Sequence, residues 1–166
     1  MLYWELCRLD KDASHEAEHK AGRELCARLL KKHFGIDTPE IAVGEFGKPY
    51  LVGGGAHFNI SHSHALVACA VSDVEIGIDI EAIKSDDEER LGHLARRYFT
   101  DGEISYIESA QDRTRAFYYI WTRKEAVSKC TGKPFLALKD YDTSIPSEHI
   151  ASYEYEDYIV SIATNI

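Results

Sequence analysis

Three stretches of this 166-residue chain have residue types and spacings that could do chemistry. The first is Ile76-Gly77-Ile78-Asp79-Ile80-Glu81. Its alternation predicts a strand, on which every second side chain shares a face. Ile76, Ile78 and Ile80 then enter a core, and Gly77, Asp79 and Glu81 share the other face. Two carboxylates so placed can share a hard cation such as Mg2+, which takes oxygen ligands. Gly77 beside them leaves room for a ligand to approach. A polar strand face with two solvated acids fits the same pattern.

The second stretch is Trp121-Thr122-Arg123-Lys124-Glu125-Ala126-Val127-Ser128-Lys129. On a helix, Trp121, Glu125 and Lys129 fall in one row. The plain reading is a surface ion pair of small value. Trp121, however, sets the row at the edge of an apolar face. Glu125 could there bring a third carboxylate to Asp79 and Glu81, and Lys129 could neutralise phosphate charge. The third stretch, His57 to His64, holds three histidines and invites a zinc reading. The alternative is a turn on which Ser61 and His62 bind an anion. Gly53-Gly54-Gly55 does not fit a phosphate-loop pattern.

These residues need elements to position them. The patterning predicts a strand over 2–9 and a helix over 14–33 that Gly35 stops. An extended stretch over 48–50 ends at the three glycines. A short strand or turn over 58–62, a buried strand over 66–72 and a strand over 75–81 follow. A polar loop spans 84–90. Helices are predicted over 91–98, 101–108 and 113–130, the last ended by Gly132. Residues 135–164 read as strands, with turns at Pro146 and at 156–157. Gly47-Lys48-Pro49-Tyr50-Leu51 is echoed by Gly132-Lys133-Pro134-Phe135-Leu136, each copy after a long helix. The fold class expected is α+β, as two similar α/β subdomains in a pseudo-two-fold arrangement. The halves cover about 1–82 and 91–166 and are joined by the polar loop, with a site in the cleft between them.

Composition removes several classes. Apolar residues make up 45%, and the longest clear apolar run, Ala65–Val71, is far short of a membrane helix. The N-terminus shows no signal-peptide pattern. Cys7, Cys26, Cys69 and Cys130 are scattered and read as small apolar residues in a reducing cytoplasm. The net charge of −9 disfavours nucleic acid as a partner. Residues 96–138 nevertheless carry 8 basic and 5 acidic groups amid many aromatics, which suits an anionic ligand or an acidic protein.

Taken together the motifs resemble the 4'-phosphopantetheinyl transferase superfamily, in its larger, pseudo-dimeric type. The resemblance rests on Gly47-Lys48-Pro49, Phe58-Asn59-Ile60-Ser61-His62-Ser63, Gly77-Ile78-Asp79-Ile80-Glu81, Arg97-Tyr98-Phe99 with Glu103, and Trp121 to Ala126 with Lys129. These occur in the family's order. The resemblance implies transfer of the phosphopantetheine arm of coenzyme A to a serine of an acyl or peptidyl carrier protein, releasing adenosine 3',5'-bisphosphate. It implies Mg2+, or Mn2+, on Asp79, Glu81 and Glu125. Glu125 would be the base, directly or through a water, and Lys129 would stabilise charge on the pyrophosphate. Ser61, His62 and Lys20 would contact phosphates, and Gly47, Lys48 and Pro49 would line an adenine pocket. An acidic carrier, a cytoplasmic location and a monomer are expected, with neither membrane nor nucleic acid as a partner. The chain ahead of the first helix is short for the family and offers only Arg8 and Lys11 upstream of Lys20. A non-catalytic coenzyme A or carrier binder of the same fold, and a Mg2+-dependent phosphohydrolase, are the alternatives.

Overall fold

The structure is a computed structural model that describes residues 1–44, 46–85 and 87–166. Its first strand, β1 (Leu2–Arg8), leads into helix α1 (His15–Phe34). Ser14 caps the helix start by accepting from the Ala17 N–H, and Gly35, in the left-handed conformation, ends it. A short pair, β2 (Ile41–Val43) and β3 (Pro49–Leu51), stands apart as a two-stranded ribbon. The hairpin of β4 (His57–Ser63) and β5 (Leu66–Ser72) then pairs with β1 in the order β1-β5-β4.

Strand β6 (Ile76–Ala82) opens a second three-stranded sheet. Helices α2 (Glu88–Tyr98), α3 (Asp101–Ser109) and α4 (Arg113–Thr131) follow, then a 3-10 turn at Phe135–Leu138. The closing hairpin, β7 (Ile150–Tyr155) and β8 (Tyr158–Thr164), joins β6 in the order β6-β8-β7. Both sheets are antiparallel, and in both the first strand pairs with the last. The sequence pattern puts the division between halves at the polar loop after residue 82. The hydrogen bonding instead gives β6 to the second sheet, so the chain crosses between sheets at 73–75. Asp86 of that polar loop lies outside the described residues.

Burial explains the layering. Leu25, Cys26, Leu29 and Leu30 of α1 pack on Phe58, Cys69 and Val71 of the first sheet. The other face of β5, Leu66, Ala68 and Ala70, packs on Ile76, Ile78, Ile80, Val160 and Ile162 of the second sheet. The far side of that sheet carries α4, through Ala126, Val127 and Cys130 against Ile150 and Ala163. Strand β5 is therefore buried along its whole length, and reads as one continuous apolar run.

The sequence pattern predicts strands throughout 135–164. The structure has none before Ile150. The reason is two buried cations on α4. Arg123 Nε donates to the Thr143 carbonyl at 2.7 Å, and Lys124 Nζ to the Tyr141 carbonyl at 2.9 Å. Glu103 accepts from the N–H and hydroxyl of Thr143 at 2.8 and 2.7 Å. Side chains thus satisfy backbone groups that a ladder would otherwise have to pair. Glu103 and Lys124 form an ion pair with no solvent exposure, and Glu103 also closes a capping box with Thr100 at the start of α3.

Gly77 has a role the alternation does not suggest. A Cβ there would meet the Ala126 carbonyl oxygen at 2.1 Å and the Cys130 nitrogen at 2.4 Å. The room it leaves is filled by the α4 backbone, not by a ligand. Gly77→Ala must therefore push α4 off the sheet, at a cost of about 3 kcal/mol or more. Urea unfolding will show a lower midpoint with an unchanged slope. Lys124→Met leaves Glu103 buried with its Thr100 and Thr143 donors, so the loss is about 3 kcal/mol, the low end for a broken buried pair. Adding Glu103→Gln to that variant will recover part of it in the same measurement.

Candidate active site

The site forms where α4 crosses β6 and the edge strand β4 runs alongside. β6 is itself an edge strand, bonded on one side to β8. On its other side the Ile78 N–H donates to Asn59 Oδ1 at 2.9 Å, the Ile80 N–H to Ser61 Oγ at 3.4 Å and the Ala82 N–H to Ser63 Oγ at 3.1 Å. Alternate side chains of β4 thus close the open edge of β6. The same hydroxyls reach the acids. Ser61 Oγ donates to Asp79 Oδ1 at 2.9 Å, and Ser63 Oγ to Glu81 Oε2 at 3.0 Å.

From α4, Lys129 Nζ donates to Asp79 Oδ1 at 2.6 Å and to Ser61 Oγ at 3.0 Å. Asp79 is 4% exposed, and its second oxygen, Oδ2, is buried without a hydrogen-bond partner. Burial pushes the Asp79 carboxyl above its usual range, against the pull of Lys129 and Ser61. Glu81 is raised by burial and then by the charge of Asp79. Glu125 is raised to about 7 by burial and by Asp79, with a smaller push from Glu81, while Lys129 opposes the shift. The three acids therefore share one field, opposed at each by Lys129 and at Glu81 also by Lys84. An all-oxygen donor set with an orphaned carboxylate oxygen is what a hard divalent cation takes. The set is open: among the described residues the three acids do not form a cluster with all oxygens within 4.8 Å of one another.

The two glycine-lysine-proline echoes meet here. A cleft of about 440 Å3 is lined by Gly47, Lys48 and Pro49 and by Gly132, Lys133 and Pro134, together with Lys129. A second cavity of about 420 Å3 adjoins it through Lys48, Pro49 and Gly132 and runs under β3 to His57 and Glu75. The echoes differ in local structure, since the first enters β3 and the second a 3-10 turn. Lys48 is a strut between them: its ammonium donates to the Cys130 carbonyl at 2.7 Å and pairs with Glu75. Cleft volumes of this size accommodate a nucleotide-sized ligand.

The structure thus brings together Ser61, Asp79, Glu81, Glu125 and Lys129, beside the cleft of Gly47, Lys48 and Pro49. It does not bring His62 or Lys20 to the carboxylates. His62 follows Ser61 and so projects from the other face of β4, toward α1, where burial lowers its ring from the usual value. Lys20 is exposed on α1, 3.9 Å from Glu24. The zinc reading of His57, His62 and His64 does not hold either. His57 faces Glu75 at 3.2 Å, and His64 sits in the β4–β5 turn. His62 instead meets His15 and His19. That grouping was available in the sequence as two histidines four apart at a helix start. Asn59 and Ser63, which close the β6 edge, were available only as alternation along β4.

The basic, aromatic segment over 96–138 is not an open face. Phe99, Phe117 and Tyr118 are buried in the core under α2 and α4, and Arg123 and Lys124 are buried as well. Arg115 pairs with Glu154. Arg96, Arg97, Arg113 and Lys133 remain at the surface.

Comparison with known proteins agrees with this architecture. A family model described as the 4'-phosphopantetheinyl transferase superfamily matches residues 75–161, from just before β6 to the middle of β8. A 4'-phosphopantetheinyl transferase of Bacillus subtilis is 35% identical over 142 residues, 82% of this chain and 62% of its own length. The 4'-phosphopantetheinyl transferase AcpT of Salmonella typhimurium is 38% identical over 131 residues, 76% of this chain and 65% of its own. The AcpT of Escherichia coli O157:H7 is 33% identical over 147 residues, 86% of this chain and 74% of its own. The chain spans a little under two thirds of the first two relatives. On the match to residues 75–161 and these identities, the chain belongs to the 4'-phosphopantetheinyl transferase superfamily.

Proposed function

We propose that this protein transfers the 4'-phosphopantetheine arm of coenzyme A to a serine of an apo carrier protein and releases adenosine 3',5'-bisphosphate. The observation that carries the reading is the meeting of Asp79, Glu81, Glu125 and Lys129 beside a nucleotide-sized cleft. Family membership supports it.

The chemistry follows from the groups present. The carrier hydroxyl attacks the phosphorus that bears pantetheine, forming a new O–P bond. The bond from that phosphorus to the bridging oxygen breaks, and the electron pair leaves with the adenosine bisphosphate. The hydroxyl proton must go to a base. Glu125 is that base, because its environment holds it near neutrality, where it can both accept and release a proton. Lys129 lines the cleft and stabilises the charge that builds on the departing phosphate. Gly47, Lys48 and Pro49 wall the adenine, with Lys48 bracing the wall through Glu75 and Cys130. Asp79, Glu81 and Glu125 would hold Mg2+, which supplies Lewis-acid neutralisation of the pyrophosphate oxygens when bound. His62, which lies in the field of Lys129, and Lys20 of α1 are the proposed phosphate contacts. Ser61 orients Asp79 and Lys129; its hydroxyl is already committed to both.

An acidic carrier is the proposed partner, met by the surface arginines Arg96, Arg97 and Arg113. The single-chain site suits a monomer in the cytoplasm. No described helix is long and apolar enough to cross a membrane.

Intact-mass spectrometry tests the reaction. An apo carrier incubated with the protein, coenzyme A and Mg2+ will gain about 340 Da, the mass of the transferred arm, and EDTA will abolish the gain. Glu125→Gln will slow transfer at least ~100-fold while coenzyme A binding persists. Transfer at the parent rate would remove Glu125 as the base. Coenzyme A breakdown without a carrier would instead favour hydrolysis.

The acids also set a pH dependence of stability. In the folded chain Glu125 keeps its proton up to about 7, against an ordinary 4.5. Folded protein therefore holds more protons than unfolded between those values, and stability falls as pH rises through them. In EDTA, the melting temperature of the parent will drop more steeply from pH 5 to pH 8 than that of Glu125→Gln. Mg2+ at pH 8 will restore the parent more than the variant. Superimposable pH curves in EDTA would contradict the shift.

A further inference from the structure

The second cavity holds a carboxylate to which the transfer chemistry gives no task beyond bracing Lys48. Among the described residues that line this cavity and the cleft beside it, Glu75 is the only acid. It stands just ahead of β6, where its carbonyl accepts from the Asn165 N–H at 3.0 Å. Two neighbours hold its carboxylate from different sides. Lys48 Nζ donates to Oε2, and His57 Nδ1 stands 3.2 Å from Oε1. An ionised carboxylate offers about four lone-pair sites, so both oxygens can accept more. The Lys48 ammonium donates to Glu75 and to the Cys130 carbonyl, and has one further N–H to give. An acceptor and a donor thus stand side by side on the lining. The lining beside them is apolar and buried, formed by Leu51, Ala56 and Phe58. Phe46 lines both cavities and is 73% exposed, so its ring is free to lie on a ligand.

We infer that Glu75 is a specificity-determining residue: it reads the base of the nucleotide by accepting from the exocyclic amine of adenine, while Lys48 donates to a ring nitrogen beside it. The inference rests on the proposed use of coenzyme A. With the phosphates at Lys129, the base passes Lys48, Pro49 and Gly132, which line both cavities, and enters the second. Apolar walls with a few convergent polar groups suit a flat aromatic base. The 6-amino group of adenine donates, which matches a carboxylate. A 6-oxo purine has an acceptor oxygen at the same place. That oxygen would face a carboxylate with no hydrogen to give, so the oxo base is repelled as well as left unpaired. Lys48 and His57 fix the carboxylate from two sides, which keeps it from swinging away to admit the oxygen. The Glu75 side chain is 54% exposed, so water reaches the contact. The discrimination is therefore that of a wet site, about 10- to 100-fold, and not that of a sealed one.

The test is calorimetric titration of the full chain, in Mg2+, with adenosine 3',5'-bisphosphate and with inosine 3',5'-bisphosphate. The parent will bind the adenosine nucleotide ~10- to 100-fold more tightly. Purine riboside 3',5'-bisphosphate, which has only hydrogen at position 6, will fall between the two. In Glu75→Gln the amide presents either its oxygen or its NH2, so both bases are served and the ratio will drop to about threefold or less. Circular dichroism verifies that this half-exposed variant is folded. A residue that only braces Lys48 predicts a different pattern: Glu75→Gln would weaken both nucleotides by one factor and leave the ratio at the parent value. That result overturns the inference, and so does a parent that binds the two nucleotides alike. Neither readout depends on transfer. A chain that discriminates between the bases but modifies no carrier keeps the inference and loses the proposed reaction. A chain that modifies a carrier and binds both nucleotides alike does the reverse.

Discussion

An edge strand presents a row of unpaired N–H groups, and β6 is such a strand in the middle of the molecule. It cannot recruit a fourth strand, because the space beside it belongs to the first sheet. Asn59, Ser61 and Ser63 resolve this by lending side-chain oxygens to the N–H groups of Ile78, Ile80 and Ala82. The two sheets are thereby locked in register without a backbone ladder between them. That register sets everything downstream. It points Ser61 at Asp79 and Ser63 at Glu81, and it brings β4 close enough for Lys129 of α4 to reach both Ser61 and Asp79.

The close approach of α4 is the other half of the arrangement. Gly77 allows the helix backbone to sit directly on β6, which a side chain at that position would prevent. Two residues further along, the strand points Asp79 into the same contact. A carboxylate buried as deeply as Asp79 is unfavourable by itself, and Lys129, with Lys84 near Glu81, does not balance three acids. The neighbouring structure is what keeps them there: a strand locked on both edges and a helix seated against it bury Asp79 and leave Glu81 and Glu125 half-buried beside it. Such an arrangement trades stability for carboxylates whose proton affinity is raised together.

Much of this was legible in sequence. The alternation of β6, the length of α1 and α4, the caps at Gly35 and Gly132, and the row of Trp121, Glu125 and Lys129 all follow from periodicity and turn chemistry, and the structure has them. What was not legible depends on partners distant in the chain. Residues 139–149 have the composition of a turn-rich β segment, but Arg123, Lys124 and Glu103 bind their backbone first. The basic charge over 96–138 reads as a surface until α4 is seen to bury two of its cations. Gly77 reads as an opening until α4 fills it. A polar loop after residue 82 is conspicuous in sequence, whereas the pairing of β6 with β8 is not.

The motif Phe58-Asn59-Ile60-Ser61-His62-Ser63 shows how far one strand can separate two chemistries. A period of two sends Asn59, Ser61 and Ser63 toward β6 and Phe58, Ile60 and His62 toward α1. The first set ends in a field of carboxylate oxygens, the second in a group of imidazole nitrogens. A one-residue slip of β4 would exchange the two faces and destroy both sets together. The hydroxyl stitching that holds β4 in register against β6 therefore fixes the histidine group as much as the acids, although its bonds go to β6 and Lys129 and none to the histidines.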